Sequence, residues 1–116
     1  MRYTLFLYSN EADFADVTPE AMEQEQAVYT AYIEALNEAG VFVDTDWLKP
    51  SSTATVLSLK DGKRHVQDGP YADTKEQLGG YFVINVADLD AALAWAEKCP
   101  AAKYGYIEVR PSAMPE

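Results

Sequence analysis

Asp68-Gly69-Pro70-Tyr71-Ala72-Asp73-Thr74-Lys75-Glu76-Gln77-Leu78-Gly79-Gly80-Tyr81 lies between two segments that read as strands. The run holds three acids, a lysine, three glycines, a proline and two tyrosines. It is too irregular to be packing alone and too long to be a simple turn. Gly79 and Gly80 suit a place where the chain re-enters a sheet, by close approach or positive φ. The segment after the run reads as a strand that re-enters the sheet.

The pattern of the preceding segment agrees. Residues 53–59 are strand-like, Asp61-Gly62 is a two-residue hairpin signal, and a returning strand covers 63–67. After the run, residues 80–86 are β-rich (Tyr81, Phe82, Val83, Ile84, Val86). Asp88 caps a helix whose expected buried stripe is Leu89, Ala92, Leu93 and Ala96, stopped by Pro100. Tyr106 to Arg110 is a last strand, with a tail after it. Upstream, Tyr3, Leu5 and Leu7 alternate with Arg2, Thr4 and Phe6 in a first strand. An acidic loop over 9–17 leads to Thr18-Pro19-Glu20, which places an N-cap, a proline at the first helical position and an acid at the positive dipole end. Met22, Tyr29, Tyr32, Ile33 and Leu36 share one side of that helix, and Gly40 suits a left-handed cap. Val41 opens a strand that runs to Trp47, and 49–52 is a loop.

The order is strand, helix, strand, inserted hairpin, strand, helix, strand. Without the hairpin it is βαββαβ, an α+β ferredoxin-like arrangement in one domain over 1–116. Two helices cover one sheet face. Eight Tyr, four Phe and two Trp leave aromatic side chains for the other face, and a bare apolar face calls for a second copy packed across a twofold axis. A homodimer is the expectation. Apolar content of 48% is ordinary for a globular chain, and no apolar run is long enough to span a bilayer. The short alternating start reads as a strand, not a leader. A formal charge of −10 without a basic cluster argues against nucleic acid and anionic lipid. The single cysteine, Cys99, excludes an intrachain disulfide and fits a reducing cytoplasm.

Several side chains are candidates for chemistry. Asp68 comes at the end of a strand and precedes Gly69-Pro70, so its carboxylate leaves the strand where the chain must change direction. It has two readings: a turn lock that accepts backbone N–H groups, or a general acid or base whose pKa rises if it is shielded from water. Asp73 and Glu76 have capping-box spacing for a short helical turn closed by Gly79. Lys75 faces solvent, or points into a cleft opposite Asp68 and binds an anionic group. Tyr71, Tyr81 and Trp47 are candidate ligand contacts, each with a packing alternative. Trp95 lies off its helix stripe and is placed to contact another element. His65, alone in mid-strand, reads as a surface residue, and Cys99 as a small residue at a helix end. One Cys and one His do not build a zinc site. Asp44-Thr45-Asp46 starts like a calcium loop, but Leu48 and Lys49 occupy the third ligand and turn-glycine positions. No phosphate loop, nucleophile elbow or dinucleotide fingerprint is present, so no cofactor is expected.

The signature run resembles that of the YCII-related proteins in the branch that carries a DGPF motif, with Tyr71 where phenylalanine is usual. The resemblance extends to the first strand, the helix ending at Gly40, Val86-Ala87-Asp88-Leu89-Asp90, and the stretch from Cys99-Pro100-Ala101-Ala102 to Glu108-Val109-Arg110. It implies the dimeric α/β-barrel form of the ferredoxin-like fold. Many relatives carry a first-helix histidine thought to work with an aspartate, and distant ones with that pair act on small lactones. Here the corresponding place holds Tyr29. The resemblance also implies gene neighbourhood with extracytoplasmic-function sigma factors. Three functional expectations result: a small-molecule-binding or accessory domain with a pocket beside residues 68–81, a small lyase or isomerase using Asp68, or a regulatory partner of a sigma factor.

Overall fold

The computed structural model describes residues 1–115. β1 (Arg2–Ser9) keeps the alternation of its sequence: Tyr3, Leu5 and Leu7 are buried, whereas Thr4, Phe6 and Tyr8 are only half-buried on the opposite face. A 3-10 turn (Glu11–Phe14) leads to α1 (Pro19–Glu38), where the Thr18 side chain accepts from the Ala21 N–H and Gly40 turns at φ +74°. Next come β2 (Phe42–Trp47), a 3-10 turn (Ser51–Thr53), β3 (Thr55–Lys60), β4 (Lys63–Asp68) and β5 (Gln77–Asn85). α2 (Leu89–Lys98), capped by Asp88, a 3-10 turn (Pro100–Lys103) and β6 (Tyr106–Pro111) complete the chain.

The main sheet has the order β2-β5-β1-β6 with every neighbour antiparallel, and β3-β4 form a separate two-stranded ribbon. With that ribbon set aside, the element order and strand order are those of a ferredoxin-like α+β fold. Asp61 and Gly62 both take positive φ, +52° and +75°, the I′ geometry whose twist matches the flanking strands. β5 starts three residues earlier than the β-rich pattern suggests, and Gly79 is the extra residue of a bulge against Leu7 and Tyr8. Gly80 is required by close approach: a Cβ there would lie 2.7 Å from the Asp46 carbonyl oxygen.

Both helices pack on one face. Leu36 and Tyr32 of α1 and Ala92 and Ala96 of α2 meet Tyr3, Leu5, Leu7, Phe82 and Ile84. Tyr32 stands edge-on to Phe82 with ring centroids 5.1 Å apart, and its hydroxyl donates to the Trp95 carbonyl at 2.7 Å. Trp95 does contact the other helix, 6.3 Å from Tyr32. Two stripe assignments are corrected. Leu89 and Leu93 are about half exposed, because α2 presents its alanines to the core; Met22 is exposed, the buried residues of α1 being Tyr32 and Leu36 in its second half. The expected helical turn at 73–76 is also absent. Asp73 and Thr74 are irregular and Lys75 and Glu76 form a bend; the Thr74 hydroxyl donates to the Glu76 carbonyl (2.6 Å) and the Gln77 amide donates to the Thr74 carbonyl (2.7 Å), so side chains replace helical bonds.

No helix covers the opposite face. By register it carries Phe6, Tyr8, Val83, Tyr81 and Tyr106, bordered by Asp44, Asp46, Glu108 and Arg110. Most of the aromatic surplus lies elsewhere, since Tyr3, Tyr29, Tyr32, Phe82 and Trp95 belong to the helix side. The β3–β4 ribbon projects as an arm: of its strand residues only Val56 is partly buried. The radius of gyration, 16.2 Å, exceeds the ~13 Å of a compact chain of this length, as a flat body with an arm requires.

Candidate functional site

At one end of the sheet the signature run folds back towards the connection after β2. The two are tied through a third segment. Glu11 accepts from the Ser51 N–H (2.7 Å) and the Ser51 hydroxyl (2.9 Å), while its own N–H donates to the Gln77 side-chain carbonyl at 3.0 Å. Gln77 in turn holds Thr74. The 3-10 turn after β1 thus clamps both loops in place with one carboxylate and one amide.

Between them is a cleft of about 640 Å³. It is lined by Tyr8, by Leu48, Lys49, Pro50, Ser51, Thr53 and Ala54, and by Pro70, Tyr71, Ala72, Thr74, Glu76, Gln77 and Leu78. Its size falls in the range of small-molecule sites. Most of its polar side chains are already engaged. Ser51, Thr74 and Gln77 belong to the clamp, the Thr53 hydroxyl donates to the Pro50 carbonyl (2.7 Å), and the Tyr8 hydroxyl donates to Glu108 at 3.3 Å. Burial first, then the Glu108 charge, raise the Tyr8 phenol above its ordinary value. The Lys49 and Glu76 side chains and the Tyr71 hydroxyl have no hydrogen-bond or ion-pair partner among the described residues. An apolar wall with two unpaired ionised groups is the chemical character of the cleft.

The sequence candidates distribute unevenly around it. Tyr71 lines the cleft and is 91% exposed, which places its ring at the mouth. Asp68 ends β4 opposite Thr55, exposed and outside the lining; the turn after it is closed by the Gly69 N–H donating to the Ala54 carbonyl (2.7 Å), not by the carboxylate. Lys75 is exposed and outside the lining as well. Trp47 is 66% exposed at the end of β2. Tyr81 belongs to the open sheet face, where its hydroxyl reaches Asp44 at 3.4 Å; the Asp44 charge, chiefly, raises its pKa. The structure therefore brings Tyr71 to the cleft and leaves Asp68, Lys75, Trp47 and Tyr81 around it. Glu11, Ser51 and Gln77 escaped the sequence reading because the bonds of the clamp join segments 40 to 66 residues apart, and Lys49 was read only as a loop residue.

Tyr29 occupies a different neighbourhood. Its ring stacks on Phe82 at 6.4 Å, and its hydroxyl shares a 2.6 Å hydrogen bond with that of Tyr104, which donates to Glu25 at 3.1 Å. Burial raises both of these phenols, Tyr104 to about 12. The pair is held neutral on the helix side, and Asp68 is not among its partners. Cys99 is buried beside it, its thiol pushed by burial to about 11. His65 is exposed in mid-strand. Among the described residues no group of three or more His, Cys, Asp or Glu is placed to hold a metal ion, and no helix is long and apolar enough to cross a membrane.

A family model described as the YCII-related domain matches residues 1–112. An uncharacterised protein of Rhizobium meliloti (strain 1021) is 34% identical over 116 residues, covering 98% of this chain and 94% of the relative.

Proposed function

This chain belongs to the YCII-related family, and from that premise we propose that it is a small-molecule-binding protein whose ligand occupies the cleft beside residues 68–81. One observation carries the reading: a cleft of about 640 Å³ whose polar side chains are mostly bonded already, to backbone carbonyls and to Glu11 and Glu108 outside the lining, so that its walls act as apolar surface. Such a cleft favours a compact, mostly apolar molecule with an ionised group for Lys49 or Glu76, and Tyr71 supplies a ring at the entrance. Asp68 is exposed, which leaves proton transfer without a water-shielded seat, so binding is preferred over a lyase or isomerase reaction. The open sheet face supports a homodimer, with Phe6, Val83 and Tyr81 facing a second copy across a twofold axis.

Thermal unfolding across a metabolite library tests the binding reading. A ligand at a hundredfold excess over its Kd adds about 2.7 kcal/mol and raises the melting temperature by several degrees. Tyr71→Ser, at a position 91% exposed, leaves the unliganded melting temperature unchanged and removes most of the ligand shift. A library without responders, or responders indifferent to Tyr71→Ser, overturns the proposal.

A further inference from the structure

The β3–β4 arm combines an exposed apolar face with a positive charge balance. By register, Leu57 stands opposite Val66 and Leu59 opposite Arg64, so one face of the ribbon presents Leu57, Leu59 and Val66 together. These three are 54%, 70% and 55% exposed. A two-stranded ribbon alone in water is marginal, and its two unpaired edges invite association. Such a face is suited to association.

Charge identifies the occupant. The arm, residues 55–68, holds three of the nine Lys and Arg residues (Lys60, Lys63, Arg64) and two of the nineteen acids. It is therefore net +1, and the remaining chain, with six cations against seventeen acids, is net −11. α1 alone carries Glu20, Glu23, Glu25, Glu34 and Glu38 and no Lys or Arg. Arg64 shares the apolar face, while Lys60 and Lys63 stand opposite each other on the other face beside the turn. A net positive arm that projects from an acidic body is complementary to that same body in another molecule. We propose that the arm is an interaction element that docks on a second copy of this chain, its leucines and Val66 buried against that copy, Arg64 on the same face set against the copy's acidic surface, and Lys60 and Lys63 beside the turn adding positive charge at the arm's tip. This rests on the homodimer reading and adds a contact that sheet-to-sheet packing does not supply.

Sedimentation equilibrium on the full chain separates the two contacts. Lys63→Glu/Arg64→Glu replaces two exposed side chains and leaves the fold intact, which circular dichroism checks; Leu57→Ser/Leu59→Ser tests the apolar face. Each raises the dimer Kd by about tenfold or more, and added salt weakens the native dimer but not the charge-reversed one. A dimer dissolved by Phe6→Asp yet unchanged by both arm variants overturns the arm proposal and leaves the sheet reading standing. A dimer weakened by the arm variants and indifferent to Phe6→Asp does the reverse. A monomer at high micromolar concentration overturns both.

Discussion

The four-stranded sheet and the β3–β4 arm obey the same pairing rules and differ in what lies on them. In the sheet, alternate residues of β1 and β5 are sealed under two helices, and Leu5 and Ile84 are fully buried. In the arm, eleven of twelve strand residues are exposed. Both have apolar residues in alternation and both have defined register. The difference shows that turn chemistry and backbone bonding are enough to set a ribbon's geometry, whereas stability comes from the layer placed over it. The cleft lies where the two regimes meet, between loops that a carboxylate and an amide clamp, next to the base of the arm.

The largest expected effect belongs to the covered side. Leu36→Ala removes a side chain with no exposed surface and leaves a cavity among Tyr32, Phe82 and Ile84, costing about 2–5 kcal/mol. Urea denaturation reads this as a lower midpoint with an unchanged slope. A cost below about 1 kcal/mol would mean that α1 packs loosely and that the contrast between the two regions is smaller than drawn.

A second test is alkaline pH. Burial raises the Cys99 thiol from 9.0 to about 11 and the Tyr104 phenol from 10.0 to about 12, and raises Tyr29 and Tyr32 in the same direction. In the unfolded chain these groups lose protons earlier than in the folded one. The stability they contribute is full below pH 9, and is lost as pH climbs from 9 through 11 for Cys99 and from 10 through 12 for Tyr104. Cys99 alone accounts for roughly 2–3 kcal/mol of that loss. Equilibrium unfolding tracked upward from neutral pH shows the decline, and Cys99→Ala flattens its first part. The arm has no Tyr or Cys, so arm variants leave this profile unchanged. A decline that moves with arm variants would place the titrating groups elsewhere.

The legibility of the molecule divides along the same line. Strand alternation, Thr18 and Asp88 as caps, Gly40 as a stop and Asp61-Gly62 as a turn are local signals, and each element they mark is present. The strand order comes from connectivity rules that prune alternatives. Which apolar residues become buried was less legible. Leu89 and Leu93 match the helical period as well as Ala92 and Ala96 do, and only the packing of α2 on the core selects the alanines. The cleft was legible as a location, because a long irregular run with Gly and Pro breaks the pattern. Its clamp was not, since Glu11, Ser51 and Gln77 belong to separate segments and nothing in local spacing relates them.

The smallest effect is also the sharpest probe of the comparison. Leu59 is 70% exposed, so Leu59→Ala in dilute solution changes stability by no more than about 0.5 kcal/mol, roughly a tenth of the upper cost at Leu36. Association alters that equality. If the arm docks on a second copy, the dimer is favoured over the unfolded chain by mass action, and the melting temperature of the native protein rises with its concentration. Leu59→Ala weakens the docked state alone, so its melting temperature rises less steeply and the two proteins separate only as they are concentrated. Two parallel curves would mean that the exposed leucine touches nothing in either state. A gap already present at high dilution would mean that the arm is packed within its own subunit, and the distinction between covered sheet and uncovered ribbon would fall.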